Sequence, residues 1–63
     1  MKNKVKQRRK ELEISQSELA SKLGITVGWL SKIENNQVDL KMSLALRITK
    51  HLDCRLDDIF LED

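Results

Sequence analysis

Basic side chains are concentrated in the first half of this 63-residue chain, and they are the groups best suited to binding a ligand. Residues 1–32 carry eight Lys or Arg against three Glu, whereas residues 33–63 carry four basic side chains against seven acidic ones. Basic groups gathered on one side of a small domain favour binding to a polyanion. The alternative is a solvated N-terminal helix whose lysines bind nothing, and charge alone does not decide between the two.

Side chains that catalyse reactions or bind metals are scarce. The chain has one His, His51, and one Cys, Cys54. Neither belongs to a Ser-His-Asp set, a glycine-rich phosphate loop or a group with metal-ligand spacing. We therefore expect no catalytic residue, no metal, no cofactor and no enzymatic activity. One Cys also excludes an intramolecular disulfide.

Helices must position these residues, because the chain lacks hairpin turns and has few alternating apolar runs. Its length predicts a single domain spanning residues 1–63, with a core of about 5–60. Apolar residues at helical spacing predict an all-α fold. The five predicted helices cover about residues 4–12, 16–23, 27–35, 40–52 and 56–61.

The boundaries of the second and third helices are the most sharply marked. Ser15 and Glu18 form a capping box at the start of the second helix. Gly24 stands where a helix ends in the left-handed conformation, and Thr26 is an N-cap for the third helix. Asp39 is the expected cap of the fourth helix. Two short helices joined by a tight glycine turn constitute a helix-turn-helix.

The fourth helix carries more apolar residues than one buried face needs. Its predicted inward residues are Met42, Ala45, Leu46, Thr49 and Leu52. The remaining apolar residues predict a self-complementary patch that mediates dimer contact, formed by Leu44, Ile48, Leu56, Phe60 and Leu61. The alternative is an ordinary core with a wide apolar stripe.

The run from Ser15 to Thr26 resembles the helix-turn-helix of the Cro and phage-repressor (Xre-like) family. The segments 8–12, 30–35, 44–48 and 56–60 continue the similarity in the same order and spacing, so it covers about residues 5–60. The resemblance implies a compact five-helix, lambda-repressor-like DNA-binding domain. It departs from the family at Leu40 and Lys41, where many members have proline followed by serine or threonine.

The resemblance also assigns DNA contacts to residues of the second and third helices, since the family places its third helix in the major groove. The base-facing residues would be Val27, Gly28, Ser31 and Lys32, and the residues facing the DNA backbone Ser15, Gln16, Thr26, Trp29 and Asn35. Lys32 would be the main hydrogen-bond donor, with guanine as its natural target. Because Val27 and Gly28 offer no polar side chain, DNA shape would contribute more than usual.

Two further expectations concern buried groups. The family commonly pairs an arginine of its first helix with a glutamate near the end of its third, which here implies a structural ion pair between Arg9 and Glu34. The alternative is two independent exposed charges. The alternative for Trp29 is a ring partly buried between the second and third helices.

The sequence thus predicts a transcriptional regulator that binds double-stranded DNA, acts as a repressor, and forms a homodimer on an inverted repeat. The alternative is an antitoxin-like module that holds a protein partner and whose DNA binding is secondary. No apolar run approaches the roughly 20 residues that span a bilayer, and residues 1–10 lack a signal-peptide core. The expected location is therefore the cytoplasm, in association with the nucleoid.

Overall fold

Five helices joined by short loops make up most of the chain, as a computed structural model shows. The structure describes the backbone of residues 2–61 and the side chains of residues 3–60. The helices are α1 (Val5–Glu11), α2 (Gln16–Leu23), α3 (Val27–Glu34), α4 (Met42–His51) and α5 (Leu56–Ile59). The all-α architecture predicted from the sequence is confirmed.

A short strand pair at the chain ends corrects the predicted extent of α5. The helix ends at Ile59 rather than continuing to Leu61, because Phe60 adopts an extended conformation with φ −109° and ψ 112°. Strand β2 (Phe60–Leu61) pairs antiparallel with β1 (Lys2–Asn3), Asn3 lying opposite Phe60. A pairing between residues so distant in sequence leaves no local signal in either segment.

The core lies between the helices and receives residues from all five. Its buried apolar side chains are Val5, Leu19, Ala20, Leu23, Leu30, Ile33, Ala45, Ile48, Leu52, Ile59 and Phe60. In α2 and α3 these residues follow the i, i+3, i+4 spacing of one buried helix face. Leu12, the C-cap residue of α1, is 37% exposed.

The orientation of α4 about its own axis differs from the prediction. Met42 and Leu46 were expected to face inward, but they are 57% and 52% exposed. Ile48, expected at the flank, is fully buried at 0%. The helix has apolar residues on more than half of its circumference, so its sequence permits two orientations. Packing against α2 and α5 selects the one that buries Ile48.

This orientation also corrects the surface predicted for dimer contact. Ile48 and Phe60 are buried in the core of the monomer and cannot contact a second molecule without rearrangement. Leu44 and Leu56 are half-buried and pack against the same core. The side chain of Leu61 lies outside the described part of the chain. The exposed apolar residues of α4 are Met42 and Leu46.

The start of α4 is likewise displaced from the prediction. Asp39 does not cap the helix; it lies exposed in the preceding loop. Lys41 occupies the N-cap position, and its side chain makes no capping hydrogen bond. The helix therefore begins two residues later than expected. Asn36 reverses the chain after α3 with a left-handed φ of 58°, a conformation that asparagine tolerates well.

Candidate nucleic-acid interface

Cap residues mark both ends of α2. The Ser15 hydroxyl accepts a hydrogen bond from the Glu18 amide at 3.0 Å, which confirms one half of the predicted capping box. The Glu18 carboxylate does not return the bond; it lies 3.4 Å from Lys22 Nζ. Gly24 ends α2 with φ 72° and ψ 30°, in the left-handed region that glycine enters without a steric penalty.

The first turn of α3 begins immediately after this reversal. Thr26 is extended, and its Oγ1 accepts a hydrogen bond from the Trp29 amide at 3.0 Å. Both hydroxyl groups predicted to face the DNA backbone, those of Ser15 and Thr26, thus act as N-caps. The left-handed Gly24 and the Thr26 cap together define how the chain passes from α2 into α3.

A buried ion pair holds the inner face of α3. Arg9 Nε donates to Glu34 Oε2 at 2.8 Å, and Arg9 Nη2 donates to Glu34 Oε1 at 3.4 Å. Arg9 Nη1 also donates to the Ile14 carbonyl at 2.8 Å. Both residues are 7% exposed, so the structure brings together the two charges that the sequence pairs. The bidentate geometry suits a guanidinium and a carboxylate removed from water.

Gln16 joins this pair from the first position of α2. Its Nε2 donates to Glu34 Oε1 at 2.9 Å, and its side chain is half-buried. Helices α1, α2 and α3 therefore meet at one carboxylate. An amide nitrogen carries two hydrogens, so Gln16 can keep this bond and still donate the second hydrogen outward.

The outer face of α3 is open to solvent. Gly28, Lys32 and Asn35 are exposed, and Val27 and Trp29 are 43% and 41% exposed. Ser31 is half-buried and its Oγ accepts a long 3.5 Å hydrogen bond from Asn35 Nδ2. The base-facing residues inferred from the sequence thus share one accessible helix surface. An exposed fraction of 41% for Trp29 is compatible with the DNA-facing position and with a ring partly buried between α2 and α3.

Three residues that join separate elements through side-chain hydrogen bonds were not predicted from the sequence. Asn3 Nδ2 donates to the Ile33 carbonyl and to Asn36 Oδ1, both at 2.9 Å. Arg47 Nη2 donates to the Leu23 carbonyl at 2.8 Å, which anchors α4 to the end of α2. Arg8 donates to the Leu52 and Asp53 carbonyls. Basic residues often satisfy the last carbonyls of a helix, but a sequence does not say which helix end each one reaches.

Other parts of the molecule present fewer groups that could bind a ligand or react. A surface cavity of about 310 Å³ between α1 and the loop before α5 includes Arg8, Asp53 and Cys54 in its lining. Burial raises the pKa of the Cys54 thiol, and the nearby Arg8 only partly opposes this. Within the described residues, no three His, Cys, Asp or Glu side chains lie together as a metal site requires. In residues 2–61, no helix has the length and apolar character needed to cross a membrane.

Comparison with known proteins gives consistent matches along the chain. A helix-turn-helix family model matches residues 5–59, which run from the first residue of α1 to the last of α5. An uncharacterized HTH-type transcriptional regulator of Methanocaldococcus jannaschii is 36% identical over 61 residues, covering 97% of this chain and 92% of the relative. Another, from Bacillus subtilis, is 35% identical over 60 residues, covering 95% and 91%.

Proposed function

The chain belongs to the helix-turn-helix family of transcriptional regulators, and on this premise we propose that it recognises a specific double-stranded DNA sequence through α3. The observation that carries the proposal is the contrast across that helix. Its inner face is fixed by a buried ion pair, whereas its outer face presents Lys32 to solvent. A rigid helix with an accessible basic face suits the major groove, which is wide enough to admit it.

Lys32 is the proposed donor to base edges. It lies one helical turn after Gly28, so its ammonium extends past a stretch with no obstructing side chain. Guanine O6 and N7 are the acceptors that a lysine recognises best in the major groove. Val27 and Ser31 lie beside this line of contact and complete the proposed base-facing set.

Contacts to the DNA backbone come from the ends of α2 and α3. The free amides and the dipole at the start of an eight-residue helix such as α2 favour a phosphate. Gln16 would donate its second amide hydrogen there while Glu34 holds the first. The groove would be flanked by the segments that contain Ser15, Thr26 and Asn35. The exposed Trp29 indole can donate its N–H to a phosphate.

Selection from a random duplex DNA library at moderate salt tests this function. We expect enrichment of a defined sequence, whose affinity falls steeply as salt is raised. Lys32→Ala should weaken binding and relax the preference for guanine at one position. Lys50→Ala is the matched control, because it removes another exposed lysine, on α4. Unchanged sequence preference in Lys32→Ala would contradict the assignment.

We further propose a homodimer on an inverted repeat, with its contact on the α4–α5 face, defined here as Leu40, Met42, Leu46 and Leu56. Met42 and Leu46 are exposed, and Leu40, Met42 and Leu56 line a small apolar groove. The second half of the chain is net acidic, so this side suits a surface turned away from DNA. Two bound copies would contact half-sites about 34 Å apart.

The dimer is tested by the double variant Met42→Ser, Leu46→Ser. Sedimentation should show loss of the dimer, with weaker binding to the palindrome and unchanged binding to a single half-site. Leu12→Ser, which alters an exposed leucine at the C-cap of α1, is the control. A variant that keeps the dimer mass would refute this surface.

We also propose that the protein acts as a repressor and is located in the cytoplasm, at the nucleoid. A reporter whose promoter overlaps the enriched sequence should be silenced when the protein is expressed. Activation of the reporter would contradict the repressor role without affecting DNA recognition.

The exposed Met42 and Leu46 also support a second candidate function, an antitoxin-like module that binds a protein partner. Large apolar side chains exposed together favour a protein contact. Selection that enriches no sequence, together with stoichiometric co-purification of a second polypeptide lost in the Met42→Ser, Leu46→Ser variant, would favour this function.

A further inference from the structure

The turn that ends α3 is built around Asn36, which has a left-handed φ of 58°. Its backbone N–H donates to the Ile33 carbonyl at 3.1 Å. The next N–H, that of Gln37, donates to the Lys32 carbonyl at 2.9 Å. These two bonds form the Schellman motif, in which glycine is the usual left-handed residue and asparagine a less common one. The motif uses only the backbone, so the Asn36 side chain is available for another role.

Asn3 fixes the orientation of the Asn36 side-chain amide. Asn3 Oδ1 accepts a hydrogen bond from the Val5 N–H at 3.0 Å, and Asn3 Nδ2 donates to the Ile33 carbonyl at 2.9 Å. Because a backbone N–H only donates and a backbone carbonyl only accepts, these two bonds determine which end of the Asn3 amide is which. The Asn36 atom that lies 2.9 Å from Asn3 Nδ2 is therefore the acceptor, Oδ1.

The donor end of the Asn36 amide is consequently left for a ligand. Asn36 is exposed, and its Nδ2 donates to no other residue in the described part of the chain. An amide nitrogen carries two hydrogens and accepts none, so its ligand must supply an acceptor. Asn36 directly follows the helix that the proposed function places in the major groove. The acceptors at the edges of that groove are phosphate oxygens, and side-chain amides commonly donate to them.

We propose that Asn36 Nδ2 donates a hydrogen bond to a DNA phosphate at the edge of the major groove. Asn3 is the positioning residue, because it holds the Asn36 amide with its donor end outward. A phosphate contact carries no base information directly, but it fixes the register and orientation of the protein on the duplex. The inference rests on the proposed function, because it assumes that α3 lies in the major groove.

Methylphosphonate substitution tests the contact one phosphate at a time, because it replaces one charged phosphate oxygen by a methyl group. Each phosphate of the duplex enriched by selection is substituted singly, and its affinity is compared with that of the unsubstituted duplex. A hydrogen bond to a charged group is strong enough to change affinity about ten-fold. We expect the wild type to lose about this factor at the phosphate that Asn36 contacts.

The variant Asn36→Gly identifies that phosphate. Glycine adopts the left-handed turn without strain, so the variant folds, but it lacks the amide. It should bind the unsubstituted duplex about ten-fold more weakly and lose nothing further when that one phosphate is substituted. Its losses at the other phosphates should match those of the wild type. Gln7→Ala is the matched control, because it removes an exposed side-chain amide from α1 and should keep the wild-type pattern.

The variant Asn3→Asp tests the positioning role. It keeps the acceptor for the Val5 N–H but has an oxygen in place of Nδ2, so the Asn36 amide should turn and present Oδ1 outward. The loss on substitution of that phosphate should then disappear although Asn36 itself is unchanged. A merely structural effect of Asn3 would lower the affinity for every duplex by the same factor and leave the pattern over the phosphates as in the wild type.

The outcomes separate this inference from the proposed function. Loss of the effect at one phosphate in Asn36→Gly and in Asn3→Asp, with its retention in Gln7→Ala, supports the contact and its positioning. Retention in Asn3→Asp alone overturns the positioning role. A wild-type pattern in Asn36→Gly, with Lys32-dependent selection intact, overturns the contact and leaves the regulator in place. Selection that enriches no sequence overturns both.

Discussion

The two faces of α3 are built in opposite ways. On the inner face, Glu34 accepts hydrogen bonds from Arg9 and Gln16, and no buried side-chain polar atom in the described part of the chain lacks a partner. On the outer face, Gly28 has no side chain, and the exposed Lys32 side chain makes no hydrogen bond or ion pair with the described residues. The same eight residues thus carry a side that determines stability and a side that is free to bind.

This contrast separates the expected effects of substitution. Changes on the inner face should lower the free energy of unfolding and reduce DNA binding only as a consequence. Changes on the outer face should alter binding and leave the fold intact or even stabilise it.

Glu34→Ala should lower the free energy of unfolding by about 3–5 kcal/mol, because it leaves Arg9 as an unpaired buried charge. Urea denaturation measures the change. Glu11→Ala is the control: Glu11 faces Arg8 at 3.5 Å on the surface, and an exposed pair contributes at most about 1 kcal/mol. If the two variants had similar urea midpoints, the buried ion pair would stabilise the fold no more than the exposed one does.

Asn3→Ala should lower the free energy of unfolding by about 1–3 kcal/mol, because it removes the donor to the Ile33 carbonyl at the end of α3. Hydrogen exchange should show faster opening of the last turn of α3. Asn3→Asp keeps the oxygen that accepts from the Val5 amide but loses the two donor bonds, so it isolates them. A wild-type exchange pattern in both variants would show that β1 does not support the inner face.

Gly24→Ala should cost about 1–2 kcal/mol of unfolding free energy, because the left-handed φ of 72° at this position disfavours a Cβ. Thermal unfolding measures the effect. Since no atom crowds the added Cβ, the loss would reflect backbone conformation alone. An unchanged melting temperature would mean that the α2–α3 turn relaxes.

Gly28→Ala should have the opposite sign and stabilise the fold by roughly 0.5–1 kcal/mol, through better helix propensity at an uncrowded site. The same thermal measurement, made beside Gly24→Ala, compares the chain's two glycines directly. Destabilisation by Gly28→Ala would show that the outer face contributes to the fold.

The smallest effect concerns Cys54, which belongs to neither face. Burial raises the pKa of its thiol in the folded state. The stability linked to the protonated thiol is fully present below the unfolded-state pKa and decreases as the pH rises through the folded-state value. Alkylation of the folded protein at neutral pH should be slower than that of the urea-unfolded chain, with Cys54→Ser as the blank. Equal rates would contradict the raised pKa.

Local signals account for the parts of the site that the sequence predicted well. Ser15, Gly24 and Thr26 act through hydrogen bonds and dihedral angles within three or four residues, so α2 and the start of α3 were placed correctly. The pairing of Arg9 with Glu34 came from the family resemblance, and the structure brings the two side chains together. The DNA-facing roles of residues on α2 and α3 stay predictions.

Errors arose where a helix had more than one way to pack. The apolar residues of α4 fit two orientations, and the prediction that buried Met42 and Leu46 was wrong because packing against α2 and α5 buries Ile48 instead. The predicted dimer surface was wrong at Ile48 for the same reason, and at Phe60 because that residue is buried in the core of the monomer. Asp39 is a good cap residue by type, but the chain enters α4 at Lys41.

The sequence by itself determined the helical class, the position of the α2–α3 turn and the identity of the residues on each side of α3, because these depend on short-range periodicity and caps. The tertiary structure alone decided the rotation of α4, the pairing of β1 with β2, and the support of the end of α3 by Asn3. Each of these depends on contacts between segments far apart in the chain. Several alternatives satisfy the local pattern equally, and only simultaneous packing of all five helices selects one of them.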